Sequence, residues 1–319
     1  MLRFTRTAAC VFLAALATAA SALNYPSRPV KLIVPVPAGG ITDAIARVIA
    51  QRLQEMWHQT VVVENRPGHS GIGAQVVERA PADGLTLLVA PDAIFTATPA
   101  LLSKLIYDPD SFTPIAGLAR GMPMLVVHPS LPVKTVPELI AYAKANPGKL
   151  NYGSFGIGTY SHLSMEDLKQ RAGIDLQHVP YRGAASALTG FLGNDVSVMI
   201  INLSSIEGHA KAGKVRLVAA ATENRVPALP DLPTVSETVA GFHTSVWFGL
   251  WGPARMPPDL VAKVHADSSK ALDHPETKNL FKTNSFERFD LSPQDFDKFI
   301  QTDRKHLGAL IKAIGIKID

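Results

Sequence analysis

Short apolar runs alternate with amphipathic stretches along this chain. The first run, Val30–Val36, is almost continuously apolar, which is typical of a strand buried on both faces. Prolines end this run, and Gly39-Gly40 turn the chain. From Thr42 to Trp57 apolar residues recur at helical spacing, so a helix with one buried face is predicted there. The apolar positions Ile45, Val48, Ile49, Leu53 and Met56 fall on one stripe of this helix.

The same alternation continues to the end of the chain. Helix starts are predicted at Thr135-Val136-Pro137-Glu138 and Ser292-Pro293, because a hydroxyl side chain stands three positions before an acidic residue. Alternating strands and helices predict an α/β fold, with mostly parallel sheets flanked by helices. Further strands are predicted at Thr60–Glu64, Leu85–Ala90, Met124–Val127, Leu150–Gly153, Gln177–Pro180, Val196–Ile201, Val215–Ala219 and Thr244–Trp251. Further helices are predicted after Gly68–Gly73, near Thr159, Ala184 and Ser204, and after Pro257-Pro258.

The length of the chain predicts two lobes. Domains typically contain about 100–200 residues, and this chain has 319. We expect residues 23–120 and 247–319 to form the first lobe, because a helical C-terminus must pack on an existing sheet. Residues 121–246 form the second lobe in this prediction. The chain then crosses twice between the lobes, near Arg120–Pro123 and Ser245–Trp247, and these crossings are the expected hinge.

Residues 1–22 have the pattern of a secretory signal peptide. A basic head with Arg3 and Arg6 precedes a short apolar run, and Ala20-Ser21-Ala22 is a small-x-small cleavage site. The apolar run is shorter than the ~20 residues that a membrane-spanning helix needs. Cleavage after Ala22 predicts a periplasmic protein without cysteine, because the single cysteine is Cys10.

The charge of the chain does not indicate nucleic-acid binding. The pI is 9.1 and the formal net charge is +4, but the predicted cleavage removes two arginines and lowers the charge to +2. The basic residues are scattered along the chain, whereas a nucleic-acid surface clusters them on one face. We therefore expect no nucleic-acid partner.

The sequence contains no recognised catalytic or metal-binding motif. It has no Gly-x-Ser-x-Gly elbow and no Gly-Lys-Ser/Thr phosphate loop. Its ten histidines include no pair closer than nine residues, so two zinc ligands on one helical turn are excluded. Ser161 and His162 are adjacent, and a helix points adjacent side chains in different directions, which favours a structural histidine. We expect neither an enzyme nor a cofactor or metal ion.

Three glycine-bearing turns between a predicted strand and a predicted helix suit anion binding. A helix start offers unpaired N–H groups and a partial positive charge to a carboxylate or phosphate. Glycine allows close approach of the ligand to the backbone, and ligands of parallel sheets bind beyond the carboxyl ends of the strands. The turns are Pro37-Ala38-Gly39-Gly40, Ser154–Thr159 and Tyr181-Arg182-Gly183. Below they are called the first, second and third loops.

Several short motifs follow one another in the order of a known family. They are Tyr25–Val34, Pro37-Ala38-Gly39-Gly40-x-x-Asp43, Val61–Gly68, Asp83-Gly84-x-Thr86-Leu87-Leu88, Tyr152-Gly153-Ser154-x-Gly156-x-Gly158-Thr159, Val179–Ala185, Leu229–Val235 and Trp247–Leu250. Together they cover nearly the whole mature chain. With these motifs the chain resembles the Bug family, the periplasmic solute-binding proteins of tripartite tricarboxylate transporters.

The resemblance implies a two-lobed periplasmic-binding-protein fold of the type II kind, with a ligand cleft between the lobes. It implies that the first and second loops grip a small carboxylate largely through backbone N–H groups and ordered water. The partners implied are this ligand and the membrane permease subunits, and we expect a monomer without a cofactor. The candidate ligand-binding residues are Pro37, Ala38, Gly39, Gly40, Thr42, Asp43, Ser154, Phe155, Gly156, Gly158, Thr159, Arg182, Gly183 and Ala184.

Two further function classes stay open at this point. In one, the ligand-bound form contacts a membrane sensor kinase instead of a permease; in the other, the chain is an exported hydrolase. The chain also departs from the family, since Ser197 and Ile201 stand where many members have aspartates, and Phe155 stands where smaller residues are common. These departures predict a less acidic pocket and an aromatic or otherwise apolar carboxylate as ligand.

Overall fold

The chain folds into two β-sheets with helices packed against them. The computed structural model describes residues 25–68, 71–242, 244 and 246–318, so the predicted signal peptide lies outside the described residues. The first sheet consists of β1 (Val30–Val34), β2 (Val61–Asn65), β3 (Thr86–Pro91), β4 (Phe112–Gly121), β10 (Trp247–Pro253) and β11 (Phe286–Arg288). The second consists of β5 (Pro123–Val127), β6 (Asn151–Ser154), β7 (Gln177–Pro180), β8 (Val198–Asn202) and β9 (Arg216–Ala220).

Ten α-helices connect these strands within the described residues. They are α1 (Ile41–Trp57), α2 (Ile72–Glu78), α3 (Thr98–Leu101), α4 (Val136–Ala145), α5 (Tyr160–Ala172), α6 (Ala184–Leu192), α7 (Leu203–Lys211), α8 (Pro258–Asp273), α9 (Pro275–Thr283) and α10 (Pro293–Ile314). The two predicted helix-start signals are confirmed, because Thr135 accepts from the N–H of Glu138 and Ser292 accepts from the N–H of Asp295. Each bond satisfies an N–H group that the first turn of a helix leaves open.

The α/β class is confirmed, but the prediction of mostly parallel sheets is corrected to mixed sheets. The strand order is β11-β4-β10-β3-β1-β2 in the first sheet and β7-β6-β8-β5-β9 in the second. In each sheet one strand that arrives from the other sheet runs antiparallel to its neighbours, β10 in the first and β5 in the second. Such a strand begins at the edge where its neighbours end, and therefore its direction is reversed.

The sequence pattern missed the longest strand. β4 contains Pro114 and Gly117, residue types that weaken a strand pattern. Gly117 is required by a close approach, since a Cβ there would lie 2.3 Å from the backbone oxygen of Phe289. Helix α9 and the short strand β11 were also not predicted. The strand predicted from Thr244 begins at Trp247, where its pairing with β4 begins.

Both faces of the first sheet are covered at its central strands, which explains why these strands are largely apolar. Leu32 and Val34 belong to a core that includes Ile49 of α1, whereas Ile33 belongs to a separate core with Phe296 of α10. Successive side chains of a strand point to opposite faces, so a sheet covered on both faces needs an apolar residue at every position. Burying each such side chain contributes about 1.5–3 kcal/mol.

A smaller apolar cluster joins helices of the two sheets. It contains Leu101 at the end of α3, Leu163 of α5, and Leu310 and Ile311 of α10. The C-terminal tail extends the contact, because the N–H of Ile318 donates to the backbone oxygen of Leu101 at 2.8 Å. The helix that follows the second loop is therefore packed against the first sheet's helices as well as its own sheet.

Candidate functional site

The two crossings of the chain bring the carboxyl ends of the strands in both sheets together. β4 ends at Gly121 and β5 begins at Pro123, so Met122 alone separates the sheets at the first crossing. The second crossing lies beside it, since the N–H of Gly121 donates to the backbone oxygen of Val246 at 2.8 Å. Pro123 pairs with Asn202, the last residue of β8. The crossings thus lie at the carboxyl end of β8 and of β4.

The loops after β1, β3, β6 and β7 open toward the same cleft. β10 is antiparallel to both β3 and β4, so β1, β3 and β4 run in one direction and end at one edge. In the second sheet β6 is parallel to β7 and β8, so these three also share an edge. Since both edges lie at the crossings, the first, second and third loops lie around one cleft between the sheets.

The first loop is held by side chains beneath it. The N–H of Gly39 donates to Asp43 Oδ2 at 3.0 Å, and Arg47 Nε donates to the same oxygen at 2.9 Å. Arg47 also donates to Asn65, whose side-chain amide donates to the backbone oxygen of Val36 at 3.2 Å. The hydrogen bond from Arg47 lowers the pKa of Asp43, so this carboxylate is ionised at neutral pH.

The predicted residues of the first loop separate into two groups. Pro37, Ala38, Gly39 and Gly40 are exposed, whereas the side chains of Thr42 and Asp43 are buried. The Asp43 carboxylate braces the loop, because its Oδ2 accepts from both Gly39 and Arg47. Gly39 has φ +90°, a conformation that favours glycine.

The second loop is braced by the first turn of α5. The N–H of Phe155 donates to Ser161 Oγ at 2.9 Å, and the N–H of Gly158 donates to His162 Nδ1 at 3.1 Å. Thr159 Oγ1 donates to the backbone oxygen of Gly156 at 2.7 Å. Although Ser161 and His162 are adjacent, both support this loop, and the buried His162 is a structural histidine.

Further hydrogen bonds hold the backbone of the second loop. The N–H groups of Gly156 and Thr159 also have acceptors within the loop, Ser154 Oγ and the oxygen of Gly156. Together with Phe155 and Gly158, four of its backbone N–H groups therefore have acceptors within the loop or in the first turn of α5. The acceptors are local: Ser154 Oγ and the Gly156 oxygen lie within the loop, and the hydroxyl and imidazole groups of Ser161 and His162 follow it.

The third loop is bonded to the second. The N–H of Tyr181 donates to the oxygen of Ser154 at 3.0 Å, and the N–H of Gly183 donates to the oxygen of Phe155 at 3.1 Å. Arg182 and Ala184 are exposed. Among the described residues, no hydrogen bond or ion pair engages the Arg182 guanidinium. The second and third loops therefore form one surface that carries an available positive charge.

The helices after the three loops begin without a side-chain cap. Their N-cap residues are Gly40, Thr159 and Gly183, and none makes a side-chain cap hydrogen bond. Helices α2, α3, α7 and α8 also lack a side-chain cap, whereas α4, α9 and α10 are capped by Thr135, His274 and Ser292. An uncapped helix start keeps N–H donors and a partial positive charge available to a ligand. The starts at Gly40, Thr159 and Gly183 are the uncapped ones that follow the first, second and third loops.

Sequence reasoning missed Asn202, which lies where the first crossing meets the second sheet. Its Oδ1 accepts from the N–H of Met122 at 2.9 Å, and its Nδ2 donates to the backbone oxygen of Asn284 at 3.0 Å. One side chain thus joins β8, the crossing and the end of α9. The sequence contained a signal, because Asn202 is the first polar residue after the apolar run of β8, at the end of a strand where ligands bind.

A cavity of about 210 Å³ extends the cleft between α5 and α10. Its walls include Asp92 and Ala97 after β3, Thr159 and Asp167 beside the second loop, and His306 of α10. Burial raises the pKa of Asp92 well above its ordinary range, and the negative charge of Asp303 adds to this effect. His306 Nε2 lies 4.0 Å from Asp167 Oδ2, a contact that joins the two sides of the cavity.

The three departures from the family pattern lie in different places. Ser197 precedes β8 at the end opposite the loops, where its N–H donates to Asn151 Oδ1 at 2.9 Å. Ile201 is buried in the core of the second sheet. Phe155 is half-buried, and its ring meets that of Tyr160 edge to face at 5.4 Å between centroids. Of the three, Phe155 alone belongs to a loop at the cleft.

Two classes of feature are absent from the described ranges. In residues 25–68, 71–242, 244 and 246–318, no helix is long and apolar enough to cross a membrane. Within the same part of the chain, no cluster of three or more histidine, cysteine, aspartate or glutamate side chains is arranged to hold a metal ion.

Known proteins match this chain over nearly its whole length. Residues 45–316 match the family model of the tripartite tricarboxylate transporter family receptor. A UPF0065 protein of Bordetella pertussis is 36% identical over 98% of this chain and 97% of its own. The solved structure of R. palustris Rpa4515 with adipate is 34% identical, with a TM-score of 0.76 over 92% of this chain and 99% of the other.

A second solved structure extends the comparison. MatC from Rhodopseudomonas palustris with bound malate is 29% identical, and its TM-score is 0.69 over 90% of this chain and 100% of the other. The family is one of periplasmic solute-binding receptors and not of enzymes. The resemblance read from the motifs is confirmed: the chain belongs to the tripartite tricarboxylate transporter receptors, the Bug family, and is a periplasmic solute-binding protein of these transporters.

Proposed function

We propose that the cleft between the two sheets captures a small ligand by its carboxylate groups. The observation that carries this proposal is that three uncapped helix starts, after Gly40, Thr159 and Gly183, lie at one cleft. Helix starts attract anions through their N–H donors and partial positive charge. In this proposal the first loop supplies exposed backbone donors, the second supplies the positive end of α5, and Arg182 supplies a charged side chain.

We propose that the two sheets act as the two lobes of a closing clamp. Residues 23–120 and 247–319 form one lobe and residues 121–246 form the other, with Met122 and Val246 at the hinge. A ligand that contacts the loops of both lobes binds the closed state better than the open state, so it shifts the population toward closure. The closed form is then the one that the membrane subunits of the transporter recognise.

The ligand we propose is an apolar or aromatic carboxylate. Rpa4515 was solved with adipate and MatC with malate, so relatives of this chain accept dicarboxylates. The ring of Phe155 in the second loop favours a ligand whose carboxylates are joined by hydrocarbon over one that carries hydroxyl or amino groups. Adipate therefore fits the cleft better than malate in this proposal.

We further propose that residues 1–22 are removed on export and that the mature chain is a periplasmic monomer. It delivers its ligand to the membrane components of a tripartite transporter and returns it chemically unchanged. Native mass spectrometry of freshly purified protein measures the mass of the mature chain, its oligomeric state and any retained ligand in one experiment.

The ligand proposal is tested by thermal shift and calorimetry with adipate, benzoate, malate and glutamate. We expect adipate or benzoate to raise the melting temperature, and both dicarboxylate and aromatic probes to be recovered unaltered after incubation. Stabilisation by glutamate with none by adipate or benzoate contradicts the apolar ligand class. Chemical conversion of a probe contradicts the assignment as a binding protein without catalysis.

A further inference from the structure

Three stacked rings lie directly beneath the second loop. The imidazoles of His162 and His178 are 4.1 Å apart between centroids and nearly parallel, and the ring of Tyr152 stacks on His178 at 4.8 Å. Each imidazole contacts the loop. The N–H of Gly158 donates to His162 Nδ1 at 3.1 Å, and His178 Nε2 lies 2.7 Å from Ser154 Oγ. Both ends of the loop therefore rest on the stack.

The contact with Gly158 fixes the protonation of His162. A backbone N–H can only donate, so His162 Nδ1 must carry its lone pair and the imidazole must be neutral. An imidazolium has two N–H donors and no acceptor, so protonation of His162 removes this support. Gly158 has φ +79°, a backbone conformation that L side chains rarely adopt, and the hydrogen bond holds the loop there.

The surroundings of the stack keep both imidazoles neutral. Burial lowers the pKa of His162 to about 4, with a smaller contribution from His178, and burial also lowers the pKa of His178. The charged groups that face the stack are Glu166 and Lys169 of α5, which oppose each other. Glu166 accepts from the Tyr152 hydroxyl at 2.5 Å and from Lys169 Nζ at 2.8 Å, so its carboxylate is bonded to the third ring of the stack and to the neighbouring lysine.

We propose that His162 and His178 are positioning residues that hold the second loop in the shape that receives the carboxylate ligand. The proposal rests on the proposed function, because it names what prepares one loop of that site. A loop with glycines at Gly156 and Gly158 has much conformational freedom, and binding is weakened by the entropy of ordering such a loop. The stack orders it before the ligand arrives.

Two substitutions at one position separate support of the loop from simple packing. His162→Phe keeps a ring in the stack but has no acceptor, whereas His162→Asn keeps an acceptor oxygen on Cγ, where Nδ1 is attached. We expect His162→Phe to bind adipate about tenfold more weakly than the wild type, and His162→Asn to stay within about threefold. The matched control is His128→Phe, since His128 bonds Ser130 Oγ at 2.7 Å at the other end of the second sheet.

The pH dependence provides a readout that packing alone does not move. Acid weakens adipate binding in every variant, because adipate itself becomes protonated. This effect is the same for both proteins and cancels in the ratio of wild-type to His162→Asn affinity, so this ratio is the quantity to measure. We expect this ratio to be constant near neutral pH and to fall as the pH approaches the pKa of His162, about 4. Asparagine does not titrate there. A ratio that stays constant through this range overturns the proposal.

Amide hydrogen exchange of residues 154–159 tests the brace without any ligand. We expect exchange in this segment to be faster in His162→Phe than in the wild type, and restored to the wild-type rate in His162→Asn. If His162→Phe keeps both wild-type exchange and wild-type adipate affinity, the proposal is wrong. If the wild type binds none of the carboxylate probes, the proposed function fails, whereas the exchange result still decides whether the histidines hold the loop.

Discussion

Gly40→Val tests whether the first loop contacts the ligand. Gly40 has φ −83° and ψ 174°, an extended conformation open to any residue, and a Cβ built there meets no atom within 4 Å. A valine side chain therefore fits the protein without a clash. It fills the space directly above the start of α1, where the proposed carboxylate approaches the backbone. Gly39 is unsuitable for this test, since its φ of +90° adds strain to any substitution.

The two effects of Gly40→Val are of different size. For stability, valine is a poorer N-cap than glycine by about 1 kcal/mol, but the reduced freedom of the unfolded chain offsets about 0.4–1 kcal/mol. The net change is within about 1 kcal/mol, or a shift of at most about 4 °C in melting temperature. For binding, losing one hydrogen bond to a charged group costs about 1.5–3 kcal/mol. This corresponds to adipate binding that is about 10- to 100-fold weaker.

Calorimetry with adipate and a thermal melt of the ligand-free protein measure the two effects separately. The matched control is Gly308→Ala in α10, because a Cβ at Gly308 also meets nothing within 4 Å. This control is expected to gain about 0.5–1 kcal/mol of stability from the loss of a helical glycine, and to keep its affinity. Wild-type affinity in a folded Gly40→Val protein refutes the assignment of the first loop to the site.

Three further substitutions test the hinge, the core and the first loop. Asn202→Ala removes the nearer of the two acceptors of the Met122 N–H, leaving the Ser285 backbone oxygen at 3.2 Å, and also removes the donor to Asn284. It is expected to lower the melting temperature by about 2–6 °C, and an unchanged melt contradicts this role. Trp247→Phe removes the indole donor that reaches the buried Asp303 Oδ2 at 2.8 Å, and urea unfolding is expected to show a loss of about 2–4 kcal/mol. The pKa of Asp43 is lower in the folded protein than in the unfolded chain. The ionised carboxylate therefore stabilises the fold at neutral pH, and this stabilisation is lost as the pH falls below the ordinary aspartate range. The difference in melting temperature between the wild type and Asp43→Asn is therefore expected to shrink on acidification, and a difference that grows would contradict the sign.

Local sequence signals predicted the elements that depend on neighbouring residues. The apolar run of β1, most of the stripe of α1 and the helix start at Thr135 are confirmed, because strand alternation, helical spacing and capping act within a few residues. Met56, the last position of the stripe, is exposed. β4 was missed for the opposite reason. Its proline and glycine are unfavourable locally, and the pairing with β10 and the approach of Phe289 that make it a strand come from distant parts of the chain.

The candidate site also has features that local sequence predicts and features that depend on distant contacts. The sequence located the three loops, because glycines between a strand and a helix are a local pattern. It did not indicate that Asp43 braces the first loop, that His178 supports the second across 24 positions, or that Asn202 joins the crossing to α9. These roles require residues far apart in sequence to come within hydrogen-bond distance. Such residues meet only when the chain has folded into both sheets.

By itself, the sequence therefore determined the α/β alternation, the family and the position of the glycine-bearing loops. The tertiary structure decided that each sheet is mixed, that the carboxyl edges of both sheets meet at Met122 and Val246, and that backbone N–H groups of the second loop have acceptors within the loop or in the first turn of α5. The periodicity of a strand or helix is a property of the backbone, and every short segment expresses it. The direction of a strand in a sheet and the partner of a buried imidazole depend on which distant segments pack together, and no local pattern encodes that choice.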